Sequence, residues 1–225
     1  MTPNLDRYEY IHKKNNFFNS LRYLKDRVIL SAILWLNNKI IILIRKINQN
    51  LVTALSLIFA ILAFIFFKHT LLFVIFSLMH WLGDVFDGFI ARLRYKVNYK
   101  EYEERFGAYF DKLNDSFYVG LFLMTMILVN LGKSNVMSVV ISMIALYIWA
   151  IFIMTQMSLN YEQFKQVSFI NIRTILMILL FINRAGYIGL ETIISLTLIL
   201  TILAILLTMV LVLKNKLKSS HILRK

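Results

Sequence analysis

Cysteine is absent from the 225 residues, which excludes disulfides, thiolate metal sites and cysteine nucleophiles. Proline occurs once, at Pro3, and glycine seven times, which disfavours collagen, disordered linkers and turn-rich β-sandwiches. Charged residues make up only 16% of the chain, against about 25% in ordinary soluble domains. Apolar side chains fill the gap: 59% of residues, against about 45–50% for soluble domains, with a mean hydropathy of +0.69. A chain this apolar has too little polar surface to cover itself in water. It reads as an integral membrane protein, long enough for several spans within one domain. Negative charge is also scarce, with 25 basic against 12 acidic residues and a net charge of +13. In a soluble protein that balance would suggest nucleic acid. In a membrane protein it fits anchoring to anionic lipid and topology signalling, so no nucleic-acid partner is expected.

A helix crossing the hydrocarbon core needs about 20 mostly apolar residues. Charge-sparse runs over Leu51–Phe67, Thr70–Gly83, Ser116–Gly132, Ser134–Tyr161, Val167–Asn183 and Thr192–Leu213 give six expected spans, the fifth containing Arg173. Val28–Ile44 is apolar but interrupted by Asn37, Asn38 and Lys39, and reads as an amphipathic helix lying in the interface; a seventh span is the competing reading. Residues 1–27 are polar and aromatic, without the early apolar run of a cleavable signal peptide. Six spans place 22 of the 25 basic residues on one side, which sets both termini in the cytoplasm. The expected plan is therefore an all-α membrane protein. A polar segment (1–27) leads to an interfacial helix (28–50), a six-span domain (51–213) and a basic cytoplasmic tail (214–225). No internal repeat is visible, and the runs are too continuous for a transmembrane barrel.

Seven of the twelve acidic residues lie between positions 84 and 115. Asp84, Asp87, Gly88, Ala91 and Arg92 recur at intervals of three and four, and so share a helix face; Gly107, Asp111 and Asp115 do the same on the next predicted helix. An ionisable side chain at the end of a membrane span is a functional hypothesis by default. Two such faces meeting would gather four carboxylates, and Arg92 alone cannot balance them. Divalent metal is the natural partner, and an oxygen-only ligand set favours Mg²⁺ or Mn²⁺. Two such ions can clamp a diphosphate, and a further carboxylate can accept the proton of an attacking hydroxyl. The small residues Gly88, Ala91 and Gly107 would let a ligand approach the backbone closely.

Asp84-Val-Phe-Asp87-Gly88-Phe-Ile-Ala91-Arg92, followed by Gly107-Ala-Tyr-Phe-Asp111-Lys-Leu-Asn-Asp115, resembles the signature of the CDP-alcohol phosphatidyltransferase family, D-x-x-D-G-x-x-A-R then G-x-x-x-D-x-x-x-D. All eight fixed residues are present in order. The resemblance implies transfer of a substituted phosphate from a CDP-linked alcohol to another alcohol, with release of CMP, by a homodimer in the membrane. It implies that Asp84, Asp87 and Asp111 bind metal, that Asp115 completes the site and acts as general base, and that Gly88, Ala91, Arg92 and Gly107 contact the CDP part of the donor. A weaker match is Asn50-Leu-Val-Thr53, where many members have P-N-x-x-T near the nucleotide; Gln49 stands in place of the proline. The spacer at 93–106 has fourteen residues where the family usually has eight, and a longer cytoplasmic loop is expected there.

The favoured function is transfer of a phosphatidyl-type group from CDP-diacylglycerol, or an archaeal CDP-lipid, to a polar alcohol in a prokaryotic cell membrane, with a cytoplasm-facing site and with the lipid donor, alcohol acceptor and membrane lipid as expected partners. Three alternatives stay open: head-group transfer from a CDP-linked alcohol to a lipid alcohol, a divalent-cation transporter, and a non-catalytic scaffold. Arg173 either neutralises a phosphate on the acceptor or snorkels to the interface. His80, four residues before Asp84, reads as a packed polar residue, and Glu191 as a loop-end carboxylate.

Overall fold

The computed structural model describes Val28 and residues 47–98, 101–159 and 172–222. Among these, all regular structure is helical: α1 (Gln49–Ile65), α2 (Thr70–Asn98), α3 (Glu101–Leu131), α4 (Val136–Met157), α5 (Ile172–Arg184) and α6 (Leu190–Ile222). Apart from Val28 and the start of α1, the expected interfacial helix over 28–50 lies outside the described residues, as do residues 160–171 before α5.

Four helical segments are long and apolar enough to cross a membrane: Thr70–Ile90, Tyr109–Leu131, Val136–Met157 and Leu190–Leu213. The other two expected spans are shorter as helices. At 1.5 Å per residue, the 17 residues of α1 reach about 25 Å and the 13 of α5 about 20 Å, against a hydrocarbon core of about 30 Å. Helix α5 compensates by being strongly two-faced: Ile172, Arg173, Leu176, Met177 and Leu180 line one buried stripe at intervals of one, three and four.

Helix α1 lies against both α2 and α3. Its buried face, Gln49, Thr53, Ser56, Ala60, Ala63 and Phe64, is mostly small, so neighbouring backbones come close. The closest approach is at Gly83, where a Cβ would lie 2.5 Å from Ser56 Cβ. The opposite face, Leu51, Leu55, Ile58, Ile61 and Ile65, is exposed and apolar. Asn48 caps α1, its side chain accepting a hydrogen bond from Asn50 N at 3.0 Å. Helix α4 packs on α3, and α6 on α4 and α5. Trp149 Nε1 ties α4 to α3 by donating to the carbonyl of Ser116 at 3.1 Å.

The spacer corrects the expectation of a longer loop. Helix α2 runs to Asn98 and α3 begins at Glu101, so twelve of the fourteen spacer residues continue the two helices, six on each. Residues 91–106 contain no glycine or proline and are rich in Arg, Lys and Glu, all good helix formers. Likewise, the basic residues after Leu213 continue α6 to Ile222.

Candidate metal and phosphoryl-transfer site

The signature aspartates come from two helices with α1 seated between. Asp84 and Asp87 stand three apart on α2, Asp111 and Asp115 four apart on α3. One carboxylate oxygen each from Asp84, Asp111 and Asp115 falls within 4.8 Å of the others. Oxygens that share one ion at 2.1–2.6 Å lie up to about 4–5 Å apart across it, so this spacing suits a hard divalent cation. Asp87 faces α1 instead: its Oδ2 accepts a 2.6 Å hydrogen bond from Thr53 Oγ1. The four expected carboxylates are thus three in a close group and one engaged by a threonine.

Arg173, at the start of α5, enters this group. Its Nη2 donates to Asp84 Oδ2 at 2.6 Å, and Nη1 lies 2.5 Å from Asp115 Oδ1, an ion pair outside hydrogen-bond alignment. Arg173 is 1% exposed, so it does not snorkel to an interface; it points inward and bridges α2 and α3. The clue in the sequence is a cation within an apolar run, which must find a counter-charge. Lys112, beside Asp111, is buried as well.

Behind the carboxylates lies a polar seam joining α1, α2 and α3. Asn114 Nδ2 donates to Ser56 Oγ at 2.6 Å, and His80 Nδ1 donates to the Ser56 carbonyl at 2.9 Å. The His80 ring stacks on Tyr118, with centroids 4.9 Å apart and planes 3° from parallel, and Tyr118 exchanges a 3.0 Å hydrogen bond with Ser77. His80 is a fully buried packing residue, as its sequence context suggests. Nothing in the signature points to Ser56, Asn114 or Gly83, whose importance appears only once the helices cross.

A family model described as CDP-alcohol phosphatidyltransferase matches residues 47–214, about three quarters of the chain. The chain belongs to this family. No curated protein and no solved structure matches it. Membership makes the protein a phosphotransferase, of a family that takes a CDP-alcohol donor and an alcohol acceptor in the membrane and generally uses divalent metal. The donor set here fits such a metal on its own chemistry. The close group is made of carboxylates alone, and the buried Asp111 Oδ1 has no hydrogen-bond partner among the described residues.

The other sequence-predicted residues of this phosphatidyltransferase fall into two sets. Asn50, Thr53 and Gly107 gather near the start of α1: Asn50 and Thr53 lie in its first turns, and a Cβ at Gly107 would lie 2.8 Å from Gln49 Nε2. Gly88 is half-buried on α2, next to Asp87. Ala91 and Arg92 continue the α2 helix, and their side chains lie outside the described residues.

Proposed function

We propose that this enzyme transfers a phosphatidyl-type group from CDP-diacylglycerol, or an archaeal CDP-lipid, to a polar alcohol and releases CMP. The acceptor hydroxyl oxygen forms the new bond to the lipid-linked phosphorus, the bond from that phosphorus to the bridging oxygen of the diphosphate breaks, and CMP departs. The observation that carries this reading is the convergence of Asp84, Asp111 and Asp115 from two helices of a family member.

Each residue has a role in it. Asp84, Asp87, Asp111 and Asp115 would hold Mg²⁺ or Mn²⁺, two ions in all, which when bound supply positive charge to the diphosphate. Thr53, through its hydrogen bond to Asp87, holds that carboxylate toward α1. Asp115 accepts the proton of the attacking hydroxyl. Arg173 keeps Asp84 and Asp115 compatible at close range, and its guanidinium is suited to neutralise a phosphate on the acceptor. Asn50, Thr53, Gly88, Ala91, Arg92 and Gly107 contact the CDP part of the donor. Six helices traverse the bilayer, with both termini and the site on the cytoplasmic side of a prokaryotic membrane, and the protein works as a homodimer.

The test is release of CMP by purified protein from CDP-diacylglycerol against a panel of glycerol phosphate, inositol phosphate, inositol and serine, with and without Mg²⁺. Metal-dependent CMP release with one of these acceptors is expected. Release from CDP-choline with a lipid alcohol, and none from CDP-diacylglycerol, would reverse donor and acceptor. Release from neither would remove the proposal.

A further inference from the structure

We propose that Gln49 is a specificity-determining residue, whose side-chain carbonyl reads the exocyclic amine of the donor's cytosine. The inference rests on the reading of the space between α1 and α3 as the donor site. Gln49 is the first residue of α1 and is only 8% exposed. Its backbone carbonyl is 3.2 Å from the Thr53 hydroxyl that also meets Asp87, so the residue is part of the structure that holds one signature aspartate. Its side chain does not face outward. The amide reaches across to α3, where Nε2 would be 2.8 Å from a Cβ at position 107; Gly107 is what makes that reach possible.

Oε1 of the same amide is buried and has no hydrogen-bond partner among the described residues. A buried carbonyl left unmatched costs about 1–3 kcal/mol, and a ligand that brings a donor recovers it. A carbonyl oxygen accepts and cannot donate, so it disfavours phosphate oxygens. It is matched by N–H or O–H groups. On a CDP-alcohol these are the ribose hydroxyls and the cytosine amine; of these only the amine is missing from uracil, which carries an acceptor oxygen at that place and its N–H on the neighbouring N3. Gln49 precedes Thr53 by four residues and Gly107 precedes Asp111 by four, so both lie about one turn farther out than the carboxylates. That suits the nucleoside end of a donor whose diphosphate sits at the aspartates. Where many family members have a proline with no polar side-chain atom, this chain carries an amide.

The experiment measures binding of CMP, UMP and dCMP to the full-length protein in detergent micelles with Mg²⁺, by calorimetry, alongside the melting temperature. Wild type is expected to bind CMP at least about tenfold more tightly than UMP, the scale of one well-made hydrogen bond. Gln49→Met should abolish that preference while leaving the CMP-to-dCMP ratio unchanged. Gln49→Glu keeps an acceptor oxygen and should keep the preference, so it decides the matter if the methionine variant does not fold. An unchanged CMP-to-UMP ratio in Gln49→Met, a lost preference in Gln49→Glu, or an effect confined to the CMP-to-dCMP ratio would each overturn the assignment to the base. A wild type that binds none of the three nucleotides would instead overturn the donor-site reading, and this inference with it.

Discussion

Helix α5 carries two arginines, about three turns apart, and the bundle treats them in opposite ways. Arg173, in the first turn, is sealed from solvent between Asp84 and Asp115. Arg184, at the last residue, is half-buried: its guanidinium lies 4.3 Å from the Phe67 ring centroid and 4.9 Å from that of Phe73, and Nη2 donates to the Phe67 carbonyl. One end of the helix meets full negative charges, the other meets ring faces and a backbone dipole. The first arrangement makes sense only where concentrated carboxylate has a use, because burying ions costs several kcal/mol each and a well-packed apolar cluster would be as stable. The second is ordinary packing, an amphipathic cation closing the end of the Phe64–Phe67–Phe73 cluster. Charge gathered by carboxylates and charge closing an aromatic cluster thus occupy opposite ends of one short helix.

The sharpest way to test that division is at Asp115. Replacing it with Asn preserves shape and removes the proposed proton acceptor, so CMP release should fall by about 10²–10⁴ while CMP binding stays within a few fold. Equal loss of binding and turnover would make Asp115 a metal ligand without a base role. The next largest effect belongs to Arg173→Ala. Removing one partner of a buried ion pair typically costs about 3–5 kcal/mol, because the remaining carboxylates lose their counter-charge. The melting temperature in detergent with EDTA should drop steeply, and Mg²⁺ should restore a larger share of it than in wild type. A variant as stable as wild type in EDTA would mean that Arg173 is not the counter-charge of the cluster.

The sequence makes one end of the molecule far more legible than the other. Aspartates at intervals of three and four on two apolar helices announce themselves, because charge there is rare and periodicity fixes the face. The pairing of Arg173 with Asp84 spans 89 positions and is set by how α5 crosses α2 and α3, which no local pattern encodes. The same holds for Asp87: spacing groups it with Asp84, but only the placement of α1 turns it toward Thr53. Six apolar runs do become six helices, yet hydropathy alone cannot show that α1 and α5 are shorter than the other four. In the spacer, charge suggests a loop where propensity favours the helix that forms.

A smaller effect separates the polar seam from the carboxylates beside it. At Gly83 a methyl group would press on the Ser56 Cβ, attached to a neighbouring backbone that cannot simply rotate away. Gly83→Ala should cost about 1–3 kcal/mol of stability through overpacking. Adding Ser56→Gly should recover part of that loss, although it leaves Asn114 without its acceptor. A double variant no more stable than Gly83→Ala alone would show that the crossing of α1 over α2 does not depend on this contact.

The smallest expected effect completes the comparison of the two arginines. Arg184→Met keeps an unbranched apolar stem over Phe67 and Phe73 and gives up the cation and its backbone hydrogen bond. A partly exposed cation–π contact is worth about 0.5–1 kcal/mol, so the melting temperature should fall only slightly. The KM for donor and kcat should match wild type, because the residue sits about three turns from Arg173 along α5 and touches none of the signature aspartates. The informative quantity is the response to EDTA. Arg173→Ala should become much more sensitive to metal removal, whereas Arg184→Met should respond as wild type does. If chelation destabilised both variants alike, the charge at the carboxylate end would be coupled through α5 to the aromatic end, and the helix would be a transmitter between them instead of a simple spacer.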